Sequence, residues 1–164
     1  SKSFLSELYD FPQGTMPIGR LDEKSEGLLL LTSDGKLSDS INRSGIEKEY
    51  WVQLDGQIHT EAIQKLTEGV SIGLKGNLYQ TQPCKVHMLV SEPKISSADP
   101  KLRIGRHRPT SWISICITEG KFRQIRKMTA AVGFPTQRLI RVRIGSIHLD
   151  DMAPGTVIQM NELI

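Results

Sequence analysis

The sequence is poor in what several protein classes require. Two cysteines, Cys84 and Cys116, and four scattered histidines in 164 residues are too few and too dispersed for a disulfide framework or a zinc cluster. Both cysteines fall in strand-like apolar alternations and are expected to be reduced core residues. No apolar run approaches the ~20 residues that span a bilayer. A basic start followed by an apolar stretch and a small-residue cleavage site is also missing, so a cytoplasmic address is expected. No repeat, low-complexity tract or linker divides the chain. Neither a phosphate-cradling glycine loop nor a set of converging carboxylates is present to support metal-dependent phosphoryl transfer, and no metal site is expected.

Acidic side chains are nearly missing from one stretch. Residues 101–143 hold eleven basic residues and a single acidic one, whereas residues 1–100 hold 10 basic and 14 acidic, and residues 144–164 hold three acidic alone. In chain order the net charges are −4, +10 and −3. A local excess of this size attracts a phosphate backbone through its charge and counterion release. Nucleic acid is therefore the expected partner, ahead of a merely solvated basic face. Lys101, Arg103, Arg106 and Arg108 lie in a long loop at 93–109 that has little apolar content, a length that in a compact domain is usually functional or mobile.

With 38% apolar content, the chain can bury one core, or two lobes sharing a sheet, without staples. Ser3 and Glu7, with Phe4, Leu5 and Leu8, predict a short amphipathic helix ending near Tyr9. Apolar runs at 15–18 and 27–32 read as short buried strands. A turn or cap at Ser33-Asp34-Gly35 feeds a helix over about 36–42, with Leu37 and Ile41 on one face. Tyr50, Val52 and Leu54 alternate in a strand over 48–55. Thr60 can cap a helix that buries Ile63 and Leu66 and closes at Gly69. Hairpin material follows at 70–78, then a strand over 84–90 through Val86, Met88 and Val90. A strand over 110–118 puts Trp112 on one face and Ile113, Ile115 and Ile117 on the other. At ~100° per residue, a helix over 122–132 gathers Arg123, Arg126 and Lys127 on one side and Ile125, Met128 and Val132 on the other. Strands over 137–149 and 155–160 end the chain. Strands outnumber helices and hairpin-length links predominate. The expected fold class is α+β, a mixed, mostly antiparallel central sheet with packed helices. Residues 1–164 form one domain, its two lobes sharing the sheet with a cleft between them.

Between the first two apolar runs lies Gly19-Arg20-Leu21-Asp22, where Gly19 permits a sharp turn and Leu21 points inward to pin the loop. Taken alone, Arg20 and Asp22 would be a weak exposed pair. Combined with Tyr50 on a strand, Arg126 on a helix and a wide basic surface, Asp22 becomes a candidate reactive group. A carboxylate among guanidinium groups suits a nucleophile or base and suits a general acid poorly. Retaining sugar chemistry would need a second carboxylate close by, for which Glu23 and Glu26 are candidates by sequence only.

Gly19-Arg20-Leu21-Asp22, then Ser25-Glu26-Gly27-Leu28-Leu29, Lys48-Glu49-Tyr50, the run from Glu119 to Met128, and Leu139-Ile140-Arg141 with Gly145 occur in order over about residues 17–149. They resemble the motifs of the bacterial ribosomal RNA pseudouridine synthases. The branch is the one that holds synthase A, which modifies RNA of the small ribosomal subunit, and synthases B, E and F, which modify RNA of the large one. The runs Arg108 to Trp112 and Val132 to Thr136 are most similar to those of the E synthases.

The resemblance implies isomerisation of a specific uridine of 23S ribosomal RNA. Asp22 matches the aspartate that adds to the anomeric carbon or removes a sugar proton to give a glycal. Arg126 matches the arginine that pairs with and orients that aspartate. Tyr50 matches the tyrosine that packs on the flipped base and is available to take its proton, and Arg20 the arginine that enters the RNA stack when the uridine is extruded. Leu139 and Arg141 match a motif that lines the pocket.

Lys121, Arg123 and Lys127 join the loop cations Lys101, Arg103, Arg106 and Arg108 as expected RNA-binding residues. Ribosomal RNA is the implied partner, no cofactor is implied, and a monomer is expected. The branch commonly starts with a small RNA-binding module and an Asn-Lys-Pro strand. This sequence carries neither, and the E synthases lack that module as well. Two readings from other classes compete: an inactive RNA-binding or ribosome-associated module, and a nucleoside or sugar hydrolase using Asp22.

Overall fold

Period-two alternation over residues 48–55 produces the strand around which the fold is built. In a computed structural model, which describes residues 4–163, the chain forms β1 (Met16–Pro17), β2 (Glu26–Gly27), β3 (Leu31–Thr32), α1 (Gly35–Arg43), β4 (Lys48–Asp55), α2 (Thr60–Glu68), β5 (Ser71–Leu74), β6 (Asn77–Gln80), β7 (Lys85–Met88), β8 (Thr110–Ile117), α3 (Gln124–Ala131), β9 (Thr136–Ile144) and β10 (Ile147–His148). The main sheet runs β10-β9-β4-β8-β7, all antiparallel, and β2 joins β9 in parallel. β1 with β3 and β5 with β6 make two small antiparallel pairs. The α+β, mostly antiparallel architecture is as expected.

Tyr50, Val52 and Leu54 face one side of the sheet, where Val52 and Leu54 are fully buried with Ile113, Ile115, Leu66 and Met128 in the largest core. A second core gathers Ile18, Leu28, Leu30, Ile41 and Ile144. Trp112, Ile140 and Val142 cover the opposite face. Asp34 caps α1 by accepting from the Lys36 and Leu37 amides, which satisfies two of the donors a helix start leaves open.

Several elements depart from expectation, at both chain ends and after β7 because apolar residues there find no partner to bury against. The N-terminal helix is one 3-10 turn at Leu5–Glu7. Its Phe4, Leu5 and Leu8 are exposed, and Ser3 lies outside the described residues. The runs at 15–18 and 27–32 shrink to two-residue bridges, with Met16 and Pro17 exposed. His59 rather than Thr60 caps α2, through Nδ1 accepting from the Ala62 amide, and Ala62 joins Leu66 in the core while Ile63 is only half-buried. β7 stops at Met88, and Val90 stands fully in solvent. Residues 155–160 form no strand, and Val157, Ile158 and Met160 are exposed. Cys84 and Cys116 are free and half-buried, and Cys84 packs against the largest core; burial pushes the Cys84 thiol up to about 11.

The parallel β2–β9 pairing positions the loop that precedes it. Glu26 lies opposite Ile140 and Gly27 opposite Arg141, and the Leu28 amide donates to the Arg141 carbonyl at 2.9 Å. Gly27 has φ +105°, and a Cβ there would stand 2.1 Å from the Arg141 carbonyl oxygen. Only glycine lets the two backbones approach this closely. Behind it Arg138, almost fully buried, makes two 2.7 Å bonds to Glu26 and one of 2.6 Å to the Ser96 carbonyl. Gly27→Ala is expected to cost about 3 kcal/mol through that backbone clash, read as a lowered midpoint in urea unfolding; a loss below about 1 kcal/mol would mean the strand moves aside freely.

Candidate active site

Residues 19–25 bulge from the sheet between β1 and β2 and form one wall of a cleft of about 410 Å³, a size typical of small-ligand sites. β4 supplies Tyr50, β9 supplies Leu139 and Arg141, and the connection into α3 supplies Lys121 to Ile125. Both cores contribute to its walls, Ile18, Leu30 and Ile41 from one and Ile117 and Leu139 from the other.

Asp22 lines this cleft with its side chain 17% exposed. The cations that reach it are Arg123 at 3.5 Å and Arg20 at 3.7 Å. Arg126, the expected partner, instead donates to the Lys24 carbonyl at 3.2 Å and the Ser25 hydroxyl at 3.3 Å. The physical reason lies at the start of α3. Arg123 is not helical but adopts the left-handed conformation at φ +50°, an uncommon state for a non-glycine residue. The turn carries its guanidinium to Asp22, while Arg126, one helical turn on, meets the returning limb of the same loop. Burial, and secondarily the charge of Arg123, lowers the Arg126 pKa, partly offset by Asp22.

Tyr50 and Arg141 sit opposite each other on β4 and β9. Arg141 is buried, its Nε donating to the Leu28 carbonyl at 2.8 Å and its Nη1 to the Arg20 carbonyl at 3.3 Å. It thus ties both limbs of the Asp22 loop to the sheet. Beside it the β4–β9 pairing shifts by one residue, Tyr50 meeting Arg141 but Glu49 meeting Arg143. This bulge re-aims the side chains. Arg141 keeps to the cleft, and Arg143 meets Glu47 at 2.6 Å and Glu49 at 3.2 Å.

The basic segment is therefore less uniform than its count. Arg138 and Arg143 are spent on Glu26, Glu47 and Glu49. Arg108 is spent on the Gly133 carbonyl, the Phe134 ring and Asp55, so it braces the end of the 93–109 loop instead of presenting itself to a ligand. Lys101, Arg103 and Arg106 are exposed on that loop. Lys127 donates to the Gly73 carbonyl and lies over the Phe122 ring at 5.1 Å. Glu26, clamped by Arg138, is not a second acid for sugar chemistry. Among the described residues no cluster of three or more His, Cys, Asp or Glu could hold a metal ion, and no helix is long and apolar enough to cross a membrane.

Two features of the site escape a reading of the sequence. Phe122 is 54% exposed at the cleft with Arg20 over its ring at 5.4 Å, an arrangement suited to stacking on a base; an aromatic inside a cationic run was its one signal. Glu119 joins the β5–β6 hairpin to the start of α3. It accepts from the Tyr79 hydroxyl, the Gln82 amide and Gln124 Nε2.

These elements match a known family. A family model described as RNA pseudouridylate synthase matches residues 2–131. The chain belongs to this family. It is 44% identical over 148 residues to ribosomal large subunit pseudouridine synthase E of Xanthomonas axonopodis pv. citri, covering 89% of this chain and 76% of the relative. It is 44% identical over 139 residues to the enzyme of the same name from Vibrio parahaemolyticus, covering 84% of this chain and 56% of that one. A crystal structure of a pseudouridylate synthase superposes with a TM-score of 0.73 at 27% identity over 93% of this chain and 59% of that chain. The chain thus spans under three-fifths of the second relative and of the solved synthase. Within the family model fall Asp22, Tyr50 and Arg126; Leu139 and Arg141 lie past its end.

The hydrogen bonds at Glu119 set a pH dependence for the fold around the synthase cleft. Burial pushes its carboxyl up, but the bonds from Tyr79, Gln82 and Gln124 outweigh it and hold the pKa below 4.5. A depressed folded-state pKa stabilises above the unfolded value and is lost as pH falls through the folded one. Stability should therefore drop below about pH 4.5. Glu119→Gln should cost about 1 kcal/mol at neutral pH and flatten part of the slope at acid pH, as followed by thermal melting from pH 7 to 3. An unchanged slope would remove Glu119 from the account.

Proposed function

We propose that this chain is a pseudouridine synthase that isomerises a specific uridine of large-subunit ribosomal RNA. What carries the reading is the position of Asp22, on a loop clamped to the central sheet, in one cleft with Tyr50 and Leu139, in a chain 44% identical to enzymes named for that substrate. The extruded uridine enters between the Asp22 loop and the sheet, with the shared sheet joining two lobes around it. Tyr50 and Leu139 pack on the base. Asp22 either adds to the anomeric carbon or takes a sugar proton; both break the bond to N1 and let the base rejoin through C5. Arg123 and Arg20 orient the carboxylate. Arg126 is a positioning residue, fixing the loop through the Lys24 carbonyl and the Ser25 hydroxyl. Arg20, 75% exposed beside the exposed Phe122 ring, fills the space the uridine leaves in the stack. Every atom of the product comes from the substrate, so no cofactor takes part, and one copy of the chain carries all these groups, so the acting unit is a monomer.

Asp22→Asn should abolish product, by more than about 10³-fold, with RNA affinity and melting temperature close to wild type; pseudouridine mapping of treated ribosomal RNA reads the outcome. Retained product would reject Asp22 as the reactive group, and RNA binding by a wild type that forms no pseudouridine would mark an inactive binding module. Replacing Lys101, Arg103 and Arg106 together by alanine should weaken RNA binding and reduce the slope of log affinity against log salt by up to about three, as measured by titration at several salt concentrations. An unchanged slope would place the RNA elsewhere.

A further inference from the structure

The cations of the cleft divide by depth. Arg20, Lys121 and Arg123 are exposed at its rim, whereas Lys48 and Arg141 lie against the sheet, Lys48 half-buried and Arg141 5% exposed. Lys48 and Tyr50 are two apart on β4 and share its cleft face, and Tyr50 pairs with Arg141 on β9. Arg141 commits Nε and Nη1 to the loop, but its Nη2 is buried with no partner. The Lys48 ammonium forms no ion pair or hydrogen bond among the described residues. It lies beside Gly120, 3.7 Å from where a Cβ would stand. Burial, then the charge of Arg141, lowers its pKa from the usual lysine value. Asp22 is the one carboxylate among the residues lining the cleft, and Arg123 and Arg20 occupy it. Two like charges drawn out of water, one with an orphan donor, are costly unless negative charge arrives between them.

We propose that Lys48 and Arg141 form an anion-receiving floor for the carbonyl oxygens of the uracil ring, making Lys48 a catalytic residue. The inference rests on the reaction proposed above. When the C1′–N1 bond breaks, its electron pair stays with the base, which becomes an anion with charge on N1, O2 and O4. C1′ takes up an Asp22 oxygen, or Asp22 takes the C2′ proton and a glycal forms. After the base turns, C5 bonds to C1′, the Asp22 oxygen leaves or the proton returns, C5 loses its proton and N1 gains one, so composition is unchanged. Donors fixed in a partly dehydrated site act most strongly at the moment this charge develops. Phosphates are the other anions RNA brings, but they meet the rim cations, while the extruded base reaches the floor.

The test is single-turnover cleavage of the C1′–N1 bond, with Lys48→Met and wild type compared on RNA carrying uridine or 5-fluorouridine at the target. Fluorine at C5 stabilises the departing anion and lessens the need for the ammonium. Lys48→Met should slow the uridine reaction about 10²-fold, leave RNA affinity unchanged, and lose distinctly less on 5-fluorouridine, with Lys48→Arg recovering part of the rate. Lys48→Gln repeats the comparison should the Met variant melt well below wild type. Equal losses on the two substrates, a loss confined to RNA affinity as a phosphate-binding lysine would give, or no loss at all overturns the inference. A wild type that makes no pseudouridine overturns the functional reading beneath it instead.

Discussion

A backbone contact with no room for a side chain holds the cleft in shape. Where Gly27 passes the Arg141 carbonyl, the chain leaving the Asp22 loop becomes a parallel partner of β9, and Arg141 answers with guanidinium bonds to both limbs of the loop. Ordering a loop residue costs about 1–2 kcal/mol. Here the loop's place is set by the sheet before any ligand arrives, and Asp22 is presented to the cleft from a fixed base. The Arg138 bonds to Glu26 and the Ser96 carbonyl extend the same clamp to the loop at 93–109.

Position along the depth of the fold decides what each cation does. A pair whose cation stands in solvent, such as Arg20 with Asp22, is worth about 1 kcal/mol; it orients the carboxylate and can exchange partners when RNA arrives. Arg138 with Glu26 is another matter, because the Arg138 guanidinium is buried and would be left without its partner if Glu26 were removed. The positive segment thus serves two ends, bracing the sheet with Arg138, Arg143 and Arg108 and offering Lys101, Arg103, Arg106 and Lys121 to solvent. Its formal charge overstates what an approaching phosphate meets.

Elements that bury alternate residues were legible from periodicity, and β4, β8, α1 and the β5–β6 hairpin fall within a residue or two of expectation. Expectation failed where apolar residues have nothing to pack against, as at Phe4 and Leu5, Val90, and Val157 to Met160. Alternation reports a capacity to be buried, while burial also needs a partner surface. Asp22, Tyr50, Leu139 and Arg141, which the ordered motifs singled out, line one cleft. They did not reveal which arginine meets the carboxylate, because Arg123 and Arg126 share a helix side in any ideal projection.

By itself, then, the sequence determined the charge asymmetry, the main strands and helices, the order of the motifs and the family they belong to. Tertiary structure alone decided that Arg123 reaches Asp22 while Arg126 holds the loop, which basic residues are consumed internally, and that Lys48 lies unpaired beside a buried Arg141. The reason is physical: these outcomes depend on one left-handed residue, one bulge and contacts between segments 101 positions apart. No local period encodes how distant segments approach.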